Sequence, residues 1–315
     1  MTAPTTTGPT RTTPFLDSSD LLGDPPALRA RADEHGYLFL RGLLPRAAVL
    51  DVRQRFLEII DRHGWLAPGT PVGEGIADVP AYEREDPAET EFCGVGVTPA
   101  AYRDAQHVRE FHQLSDHPRL QALYAALFDA PVLRHPRNIA RMMVPRRDSN
   151  PTPPHQDFIH VQGSPNVWTA WLPLGDCPRS LGGLTVLDRS HQDGLLSYKA
   201  ADGAGGLEAY LCNLDLTWAE GDFDAGDVLT FSSRTVHKAL PNGQPDRVRL
   251  SCDFRYQPLH EVIERRALDV HCGVATWDEI YATWPDDEST WYWRDLPLRY
   301  VEWDESIRWQ KDRIC

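Results

Sequence analysis

Two histidines and an aspartate are the residues in this sequence best suited to bind a metal ion. His155 and Asp157 form an H-x-D pair, and side chains two residues apart on a β-strand point to the same face. His237 lies at the end of a later β-rich stretch. Two imidazoles and one carboxylate leave three coordination positions open, which suits non-haem Fe(II) oxygenases. The spacing alone is also compatible with three unrelated polar residues at strand ends.

A second H-x-D pair, His191 and Asp193, competes with the first. It follows GGLTVLDRS at a strand-to-loop turn, and Gly194 comes directly after it. His155 instead precedes a strand-like run, FIHV. The context therefore favours His155, Asp157 and His237 as the metal ligands. A structural zinc site would fill all four positions and usually uses Cys.

Charged residues alternate with apolar ones shortly after His237, from Arg247 through Arg249 and Ser251 to Arg255. An arginine that faced a barrel interior would be costly without an anionic partner. 2-Oxoglutarate, a co-substrate that an Fe(II) oxygenase can use, carries a distal carboxylate that a guanidinium can bind through two hydrogen bonds. The same alternation also fits a strand with one solvated face.

Helices and one strand are predicted before the metal-binding region. Residues 26–35 form a helix, 36–42 a strand, and the apolar periodicity after Pro45 predicts a helix that reaches Trp65. Residues 66–100 have little periodicity, and 117–129 again form a helix.

From about residue 132 the pattern changes to short β-rich runs separated by Pro and Gly, which predicts a barrel or sandwich. The predicted strands are VLRH, IARMMV, DFIHVQG, NVWTAWLPL, GGLTVLD, GDVLTFSS and VRLSCDFRYQ. We expect one oxygenase domain over 15–315, preceded by a disordered Thr/Pro-rich tail over 1–14. Its parts are a helical preface and lid (15–130), a β core (131–257) with an insertion (191–225), and a Trp-rich helical tail (258–315). The 66–100 and 191–225 segments are candidate lids.

Composition excludes several classes of partner. With 32 Lys+Arg against 46 Asp+Glu, the net charge is −14, which argues against nucleic acid and anionic lipid. No apolar run approaches the roughly 20 residues of a membrane span, and the start lacks the apolar core of a signal peptide. We therefore expect a cytoplasmic protein with a small-molecule substrate. Six of the ten Trp follow residue 270, where packing or a homodimer interface would explain them.

The cysteines form no C-x-x-C motif and no tight cluster, so neither a zinc knuckle nor a disulfide framework is predicted. Buried free thiols in a reducing compartment are the expected state. The six residues are Cys93, Cys177, Cys212, Cys252, Cys272 and Cys315.

The order of these motifs resembles the phytanoyl-CoA dioxygenase family of Fe(II)/2-oxoglutarate oxygenases. The segments that carry the resemblance are HQDFIH (155–160), WTAWLPLGDC (168–177), GGLTVLDRSH (182–191) and HKALPN…DRVRLS (237–251). The resemblance implies a mainly β fold with flanking helices around a double-stranded β-helix (jelly-roll, cupin-like) core. It also implies Fe(II), 2-oxoglutarate and O2, with the metal on His155, Asp157 and His237.

The resemblance leaves two positions for the arginine that binds 2-oxoglutarate. The family pattern places it four residues before the small residue Ser251, at Arg247, whereas a broader R-x-S pattern gives Arg249. We favour Arg247. Trp171 falls where the family often has an aromatic residue lining the co-substrate pocket, and Ala239 stands where some members have a hydroxyl.

The resemblance also bears on the reaction. The family has a Gly-Ser-His turn after the GGL motif, and this sequence has Arg189 in place of that glycine. The resemblance therefore implies that the second H-x-D motif is part of a turn. Related halogenases have a small residue at the position of Asp157, so its carboxylate predicts hydroxylation instead. The implied reaction hydroxylates an unactivated C–H bond of a small molecule and releases succinate and CO2. The alternatives are a non-catalytic β-barrel that binds a small molecule, or a cupin-type isomerase or hydrolase.

Overall fold

The structure, a computed structural model, describes residues 10–146, 150–211, 214–284 and 289–309. In these ranges the α-helices are α1 (Pro25–His35), α2 (Arg46–Arg62), α3 (Val79–Tyr82), α4 (Pro87–Thr90), α5 (Pro99–Gln106), α6 (Arg109–Ser115), α7 (Pro118–Phe128) and α8 (Trp277–Tyr281). The strands are β1 (Thr12–Pro14), β2 (Tyr37–Leu40), β3 (Val132–Arg134), β4 (Ile139–Met143), β5 (Trp168–Pro173), β6 (Leu184–Leu187), β7 (Tyr198–Ala200), β8 (Leu207–Ala209), β9 (Trp218–Glu220), β10 (Val228–Ser232), β11 (His237–Ala239), β12 (Arg249–Pro258), β13 (Val262–Glu264) and β14 (Arg299–Val301). None of the helices in these ranges has the length and apolarity that crossing a bilayer requires.

Two sheets share one hydrophobic cluster between their inner faces. The larger sheet has the order β2-β10-β5-β12-β3, with β4 also paired to β12, and the smaller has the order β1-β9-β6-β11. Trp171 and Leu229 of the larger sheet pack with Val186 and Ala219 of the smaller one. The predicted fold class, a mainly β double-stranded β-helix with flanking helices, is confirmed.

Strand β12 positions several of the polar side chains inside the barrel, because successive residues of a strand point to opposite faces. Leu250, Cys252 and Phe254 belong to the cluster that the flanking helices form on the outer face. Arg249 and Arg255, with the polar residues between them, are buried on the inner face. The interpretation of this alternation as a solvated face is therefore wrong.

The helical preface agrees with the sequence prediction in its long elements. Helices α1, α2 and α7 match the predicted segments, and the predicted strand is β2, which pairs with β10 in the larger sheet. Residues 66–100 contain the short helices α3 and α4 rather than a structureless loop. Each begins at an aspartate whose carboxylate accepts a backbone N–H, Asp78 for α3 and Asp86 for α4. Helices of four residues are too short to produce a readable periodicity.

Two predicted segments differ in the β region. The strand expected over 157–163 is instead a short 3-10 helix, Asp157–Ile159. The predicted insertion over 191–225 is not wholly outside the core, because its strand β9 pairs with β6 and β1. Strand β9 has only three residues, which is too short to show a clear alternation in the sequence.

The two ends of the chain also differ from prediction. Residues 12–14 belong to the predicted disordered tail, yet β1 pairs in parallel with β9. The tail over 258–315 is only partly helical, since it contains the five-residue α8 and the paired strands β13 and β14. Trp277, Trp284, Trp291 and Trp293 belong to one hydrophobic cluster, as in the contacts of Trp293 with Trp277 and Trp291. This confirms packing as a role of these residues.

A disulfide joins Cys93 to Cys272, with their Cα atoms 6.4 Å apart. The expectation of free thiols is therefore wrong for this pair. The two residues are separated by 179 positions, so no local spacing could reveal the bond. Cys177 and Cys252 are buried free thiols, as expected. Cys212 and Cys315 lie outside the described residues.

Removing this disulfide should destabilise the protein. The bond ties a turn before α5 to a turn before α8, and such a cross-link restricts the unfolded chain. We expect the Cys93→Ser/Cys272→Ser double variant to lose about 2–4 kcal/mol of unfolding free energy, measured by denaturant titration without reductant. Adding reductant should lower the stability of the parent protein to that of the variant and leave the variant unchanged. Alkylation of Cys93 in the folded, unreduced parent would contradict the prediction.

Candidate active site

Three buried side chains, His155, Asp157 and His237, converge inside the barrel. Their potential ligand atoms all lie within 4.8 Å of one another. Asp157 Oδ1 lies 3.7 Å from Nε2 of each histidine. Among the described residues, this is the one group of three or more His, Cys, Asp and Glu side chains with metal-binding spacing. The structure thus assembles the triad that the sequence predicted.

Backbone pairing brings the two histidines together. The N–H of His155 donates to the carbonyl of His237 at 3.0 Å, and the reciprocal bond is 2.9 Å. Each ring is then oriented through Nδ1, which donates to the carbonyl of Pro153 for His155 and of Thr235 for His237. Since a carbonyl can only accept, Nδ1 carries the proton and Nε2 presents its lone pair to the cavity. Burial lowers the pKa of His237 to about 3, which keeps this imidazole neutral.

The Asp157 carboxylate uses its two oxygens differently. Oδ2 accepts hydrogen bonds from Thr169 Oγ1 at 2.7 Å and from Arg255 Nη2 at 3.2 Å. Oδ1 faces the two histidines. Burial raises the pKa of this carboxyl, but the Arg255 guanidinium beside it holds that pKa well below its usual range. The carboxylate is therefore ionised and oriented by Thr169 and Arg255, a role that no local pattern predicted for either residue.

Replacing Arg255 should weaken metal binding. Arg255→Gln removes a buried positive charge from Asp157 Oδ2, and partners of metal ligands typically contribute 10–100-fold to affinity, so we expect an Fe(II) dissociation constant about 10–100-fold higher. Anaerobic calorimetric titration with Fe(II) would measure this. Arg62→Gln, which removes an exposed arginine paired with Asp104, is the control and should bind Fe(II) like the parent. A folded Arg255→Gln protein with parental affinity would show that the ion pair does not position the ligand.

The two candidate 2-oxoglutarate arginines occupy different environments, and the preference for Arg247 is not supported. Arg247 precedes β12, is exposed, and donates to the carbonyl of Glu74 outside the cavity. Arg249 is 6% exposed, lies on the inner face of β12, and lines the same cavity as the triad. Residue 247 lies before the start of β12, where it forms an isolated antiparallel bridge with Ile76 instead of pairing within the larger sheet.

The cavity around the triad, here called the metal cavity, has the polar atoms that 2-oxoglutarate requires. Arg249 Nη1 donates to the carbonyl of Gly182, while Arg249 Nε and Ser251 Oγ are buried without a hydrogen-bond partner among the described residues. Buried polar atoms of this kind are normally satisfied, so a ligand with an anionic group fits them. Trp171 also lines this cavity, and Ala239 lines its wall in place of a hydroxyl.

Gly182, the first glycine of the GGL motif, is required by its backbone. Its φ is +85°, and a Cβ there would lie 2.6 Å from the carbonyl oxygen of Leu240. Its own carbonyl is the acceptor for Arg249. The glycine therefore allows the close approach of chain segments that positions this arginine.

A second ion pair, between Arg141 and Asp253, lines the metal cavity and was not predicted. Arg141 Nε donates to Asp253 Oδ2 at 2.9 Å, and Arg141 Nη1 donates to the carbonyl of Gly94 at 2.9 Å. Gly94 belongs to the predicted lid over 66–100. Arg141 is therefore paired with a buried carboxylate inside the barrel.

The metal cavity continues into a larger space of about 600 Å³, here called the outer cavity. The two share Arg141, Thr152, Ala239 and Arg249 as lining residues. A side cavity of about 120 Å³ adjoins the outer one and is lined in part by Gly203 and Ala204. Residues of 66–100 and of 191–225 thus form walls of these cavities, which is the location that a lid requires.

The second H-x-D pair lies elsewhere. Ser190–Asp193 forms a 3-10 helix after Arg189, whose φ is +66°. His191 Nε2 bonds the carbonyl of Asp33 at 3.0 Å, on α1. The interpretation of this motif as a turn is confirmed.

Comparison with known proteins identifies relatives of this chain. The phytanoyl-CoA dioxygenase (PhyH) family model matches residues 32–249. A 1-deoxypentalenic acid 11-beta-hydroxylase from Streptomyces arenae is 30% identical over 257 residues, covering 78% of this chain and 85% of the relative. The enzyme of the same name from Streptomyces exfoliatus is 27% identical over 258 residues, with the same shares covered. The comparisons give no support to the alternatives of a non-catalytic barrel or of a different cupin-type metal enzyme, an isomerase or hydrolase.

Solved structures show the same fold. The non-heme alpha ketoglutarate dependent epimerase SnoN from nogalamycin biosynthesis has a TM-score of 0.53 and 21% identity, covering 81% of this chain and 92% of SnoN. A complex of SnoN with Fe3+, alpha ketoglutarate and nogalamycin RO has a TM-score of 0.52 and 22% identity, over 80% of this chain and 93% of that one. Together with the family match, these findings place the chain: it belongs to the phytanoyl-CoA dioxygenase family and is an Fe(II)- and 2-oxoglutarate-dependent dioxygenase.

Proposed function

We propose that this enzyme hydroxylates an unactivated C–H bond of a small natural product, with Fe(II) on His155, Asp157 and His237. The single observation that carries the proposal is that this triad and Arg249 line one buried cavity. The presence of Asp157 as a third ligand favours hydroxylation over halogenation. The curated relatives are named as hydroxylases of a small carboxylic acid, which agrees with this reaction.

When bound, Fe(II) with 2-oxoglutarate and O2 supplies the oxidising chemistry, in which the co-substrate is decarboxylated to succinate and CO2. The protein's part is binding and orientation. His155 and His237 present Nε2, and Asp157 presents Oδ1 while Thr169 and Arg255 hold its other oxygen. These contacts would hold the three ligand atoms in place for Fe(II).

Arg249 would hold the distal carboxylate of the co-substrate, with Ser251 Oγ beside it on the same face of β12. Both groups are buried, so their interaction with an anion is little screened by water. Trp171 and Leu184 line the same cavity with apolar surface, which excludes water from the reaction. In this proposal the substrate occupies the outer cavity, where the two lid segments form part of the wall.

Anaerobic addition of Fe(II) and 2-oxoglutarate tests the proposal directly. We expect the weak visible charge-transfer absorption of the chelate in the parent protein, and succinate release once O2 is admitted. Absence of both in folded protein would overturn the proposal. A cytoplasmic location, the absence of nucleic-acid partners, a homodimer and a single domain stay predictions.

A further inference from the structure

The two lid segments meet at a single close contact beside the cavities. They are here called the first lid (66–100) and the second lid (191–225). Gly94 of the first lid lies so close to Ala204 of the second that a Cβ at residue 94 would overlap the Ala204 side chain. Both residues line the side cavity, which adjoins the outer cavity. Separation of the lids at this contact would therefore open a wall of these cavities.

The same glycine is also connected to the metal cavity. Its carbonyl accepts a hydrogen bond from Arg141 Nη1 at 2.9 Å. Arg141 lines both the metal cavity and the outer cavity, and its Nε donates to the buried Asp253. The position of Gly94 therefore affects the contact between the lids and one of the polar walls of the metal cavity.

The disulfide fixes the residue next to this glycine. Cys93 lies in a 3-10 turn of the first lid, and neither it nor Cys272 is buried. The turn that carries Cys272 is attached to the protein interior, because His271 Nδ1 is hydrogen-bonded at 2.7 Å to the hydroxyl of Tyr102, a fully buried residue of α5. The disulfide thus ties a surface turn of the first lid to a well-packed part of the fold, and both sulfur atoms lie where a reductant can reach them.

Both cysteines have a backbone conformation that L-residues disfavour. The φ angle is +48° at Cys93 and +58° at Cys272. Such a conformation persists only where the surrounding structure enforces it. Residue 95 is held separately, since the carbonyl of Val95 accepts a hydrogen bond from the N–H of Met142 on β4 at 2.8 Å. Breaking the disulfide would therefore release Cys93 and Gly94 and leave Val95 attached to the sheet.

From these contacts we infer that the disulfide is a redox-sensitive switch that holds the two lids together and so controls access to the cavities. The inference rests on the proposed function only in assigning the outer cavity to the substrate. In the oxidised enzyme the bond keeps Gly94 against Ala204 and Arg141. Disulfides of proteins in reducing compartments are usually transient or redox-sensing, which agrees with such a role.

Reduction by a dithiol would open the switch. The S–S bond breaks by thiol–disulfide exchange, and the dithiol supplies two electrons and two protons. Cys93 and Cys272 become thiols, while the dithiol is oxidised to its own disulfide. Oxidation of the two thiols by a disulfide reverses the step.

Hydrogen exchange of the purified enzyme, followed by mass spectrometry before and after treatment with dithiothreitol, tests the inference. At labelling times of seconds to minutes, exchange reports local opening rather than global unfolding. We expect the amides of 90–95 and 202–206 to exchange about tenfold faster after reduction, since release of one residue from the left-handed region favours the open state by about this factor. Helix α2, which lies outside the contact between the lids, should exchange as before.

Stopped-flow absorption measures access to the cavities. The metal cavity opens into the outer cavity, so 2-oxoglutarate should reach Fe(II) through the walls that the lids form. We expect the chelate absorption to appear faster in the reduced enzyme, by a factor similar to that of the amide exchange. Dithiothreitol is removed anaerobically before Fe(II) and 2-oxoglutarate are added.

Two variants serve as controls. Cys93→Ser/Cys272→Ser should show fast exchange and fast chelate formation with or without reductant. Cys177→Ala removes a buried free thiol and keeps the disulfide, so it should respond to reduction as the parent does.

Three results would overturn the inference. They are unchanged exchange in either lid after both cysteines have become open to alkylation, faster exchange that extends equally to α2, and an unchanged rate of chelate formation. If no chelate forms in either redox state, the proposed function is wrong, and the exchange of the two lids then decides the inference alone.

Discussion

Replacing His155 or His237 by alanine should abolish the chelate absorption with Fe(II) and 2-oxoglutarate and reduce turnover below detection. Each imidazole presents Nε2 to the same point, close to Asp157 Oδ1. Loss of one ligand from a three-residue set leaves two, which no longer hold Fe(II) in the facial arrangement that this chemistry uses. Anaerobic absorption spectroscopy and a succinate assay measure the two effects.

His191→Ala is the matched control, because it removes a histidine from the other H-x-D motif. We expect its chelate absorption and succinate release to match the parent, since His191 bonds the carbonyl of Asp33 and lines no part of the metal cavity. A parental spectrum in His155→Ala, or its loss in folded His191→Ala, would show that the ligands have been assigned wrongly.

Replacing Arg249 by glutamine should raise the KM for 2-oxoglutarate by at least about 30-fold. Truncating one partner of a buried charge pair typically costs about 2–5 kcal/mol, and each 1.4 kcal/mol is a factor of ten in affinity. Arg249 is buried and its Nε has no partner among the described residues, so the carboxylate of the co-substrate would be its counterion. Succinate formation measured against 2-oxoglutarate concentration gives the KM.

Arg247→Gln is the comparison that separates the two arginines. Arg247 is exposed and donates to the carbonyl of Glu74, so we expect less than about a twofold change in KM, as for a typical surface substitution. Arg249→Lys keeps the positive charge but lacks the planar guanidinium that binds a carboxylate through two hydrogen bonds. We expect its KM for 2-oxoglutarate to lie between the values of the parent and of Arg249→Gln. A large increase in KM in Arg247→Gln, with no increase in Arg249→Gln, would support Arg247 as the residue that binds 2-oxoglutarate, as the sequence analysis favoured.

The sequence, together with its resemblance to a known family, predicted the ligand set and the fold class. H-x-D has a local spacing, and its context distinguished His155 from His191. Hydrophobic periodicity predicted α2 and α7, because each is long enough to repeat an apolar face over successive turns. The β-rich runs around Trp171, Leu184 and Leu229 likewise marked the strands of the core. These features are encoded within short stretches of chain, where residue type and spacing are the cause of the structure.

The tertiary structure alone decided which polar groups share an environment. Arg247 and Arg249 are equivalent in a strand pattern, and only the start of β12 makes one exposed and the other buried. The bond of Arg255 to Asp157 and the disulfide between Cys93 and Cys272 join residues 98 and 179 positions apart. The hydrogen bond from Arg146 to Thr90 likewise joins residues that are far apart in the sequence. Such contacts depend on how sheets and lids pack in space, and a charge or thiol acquires its role only from the burial and partners that this packing supplies.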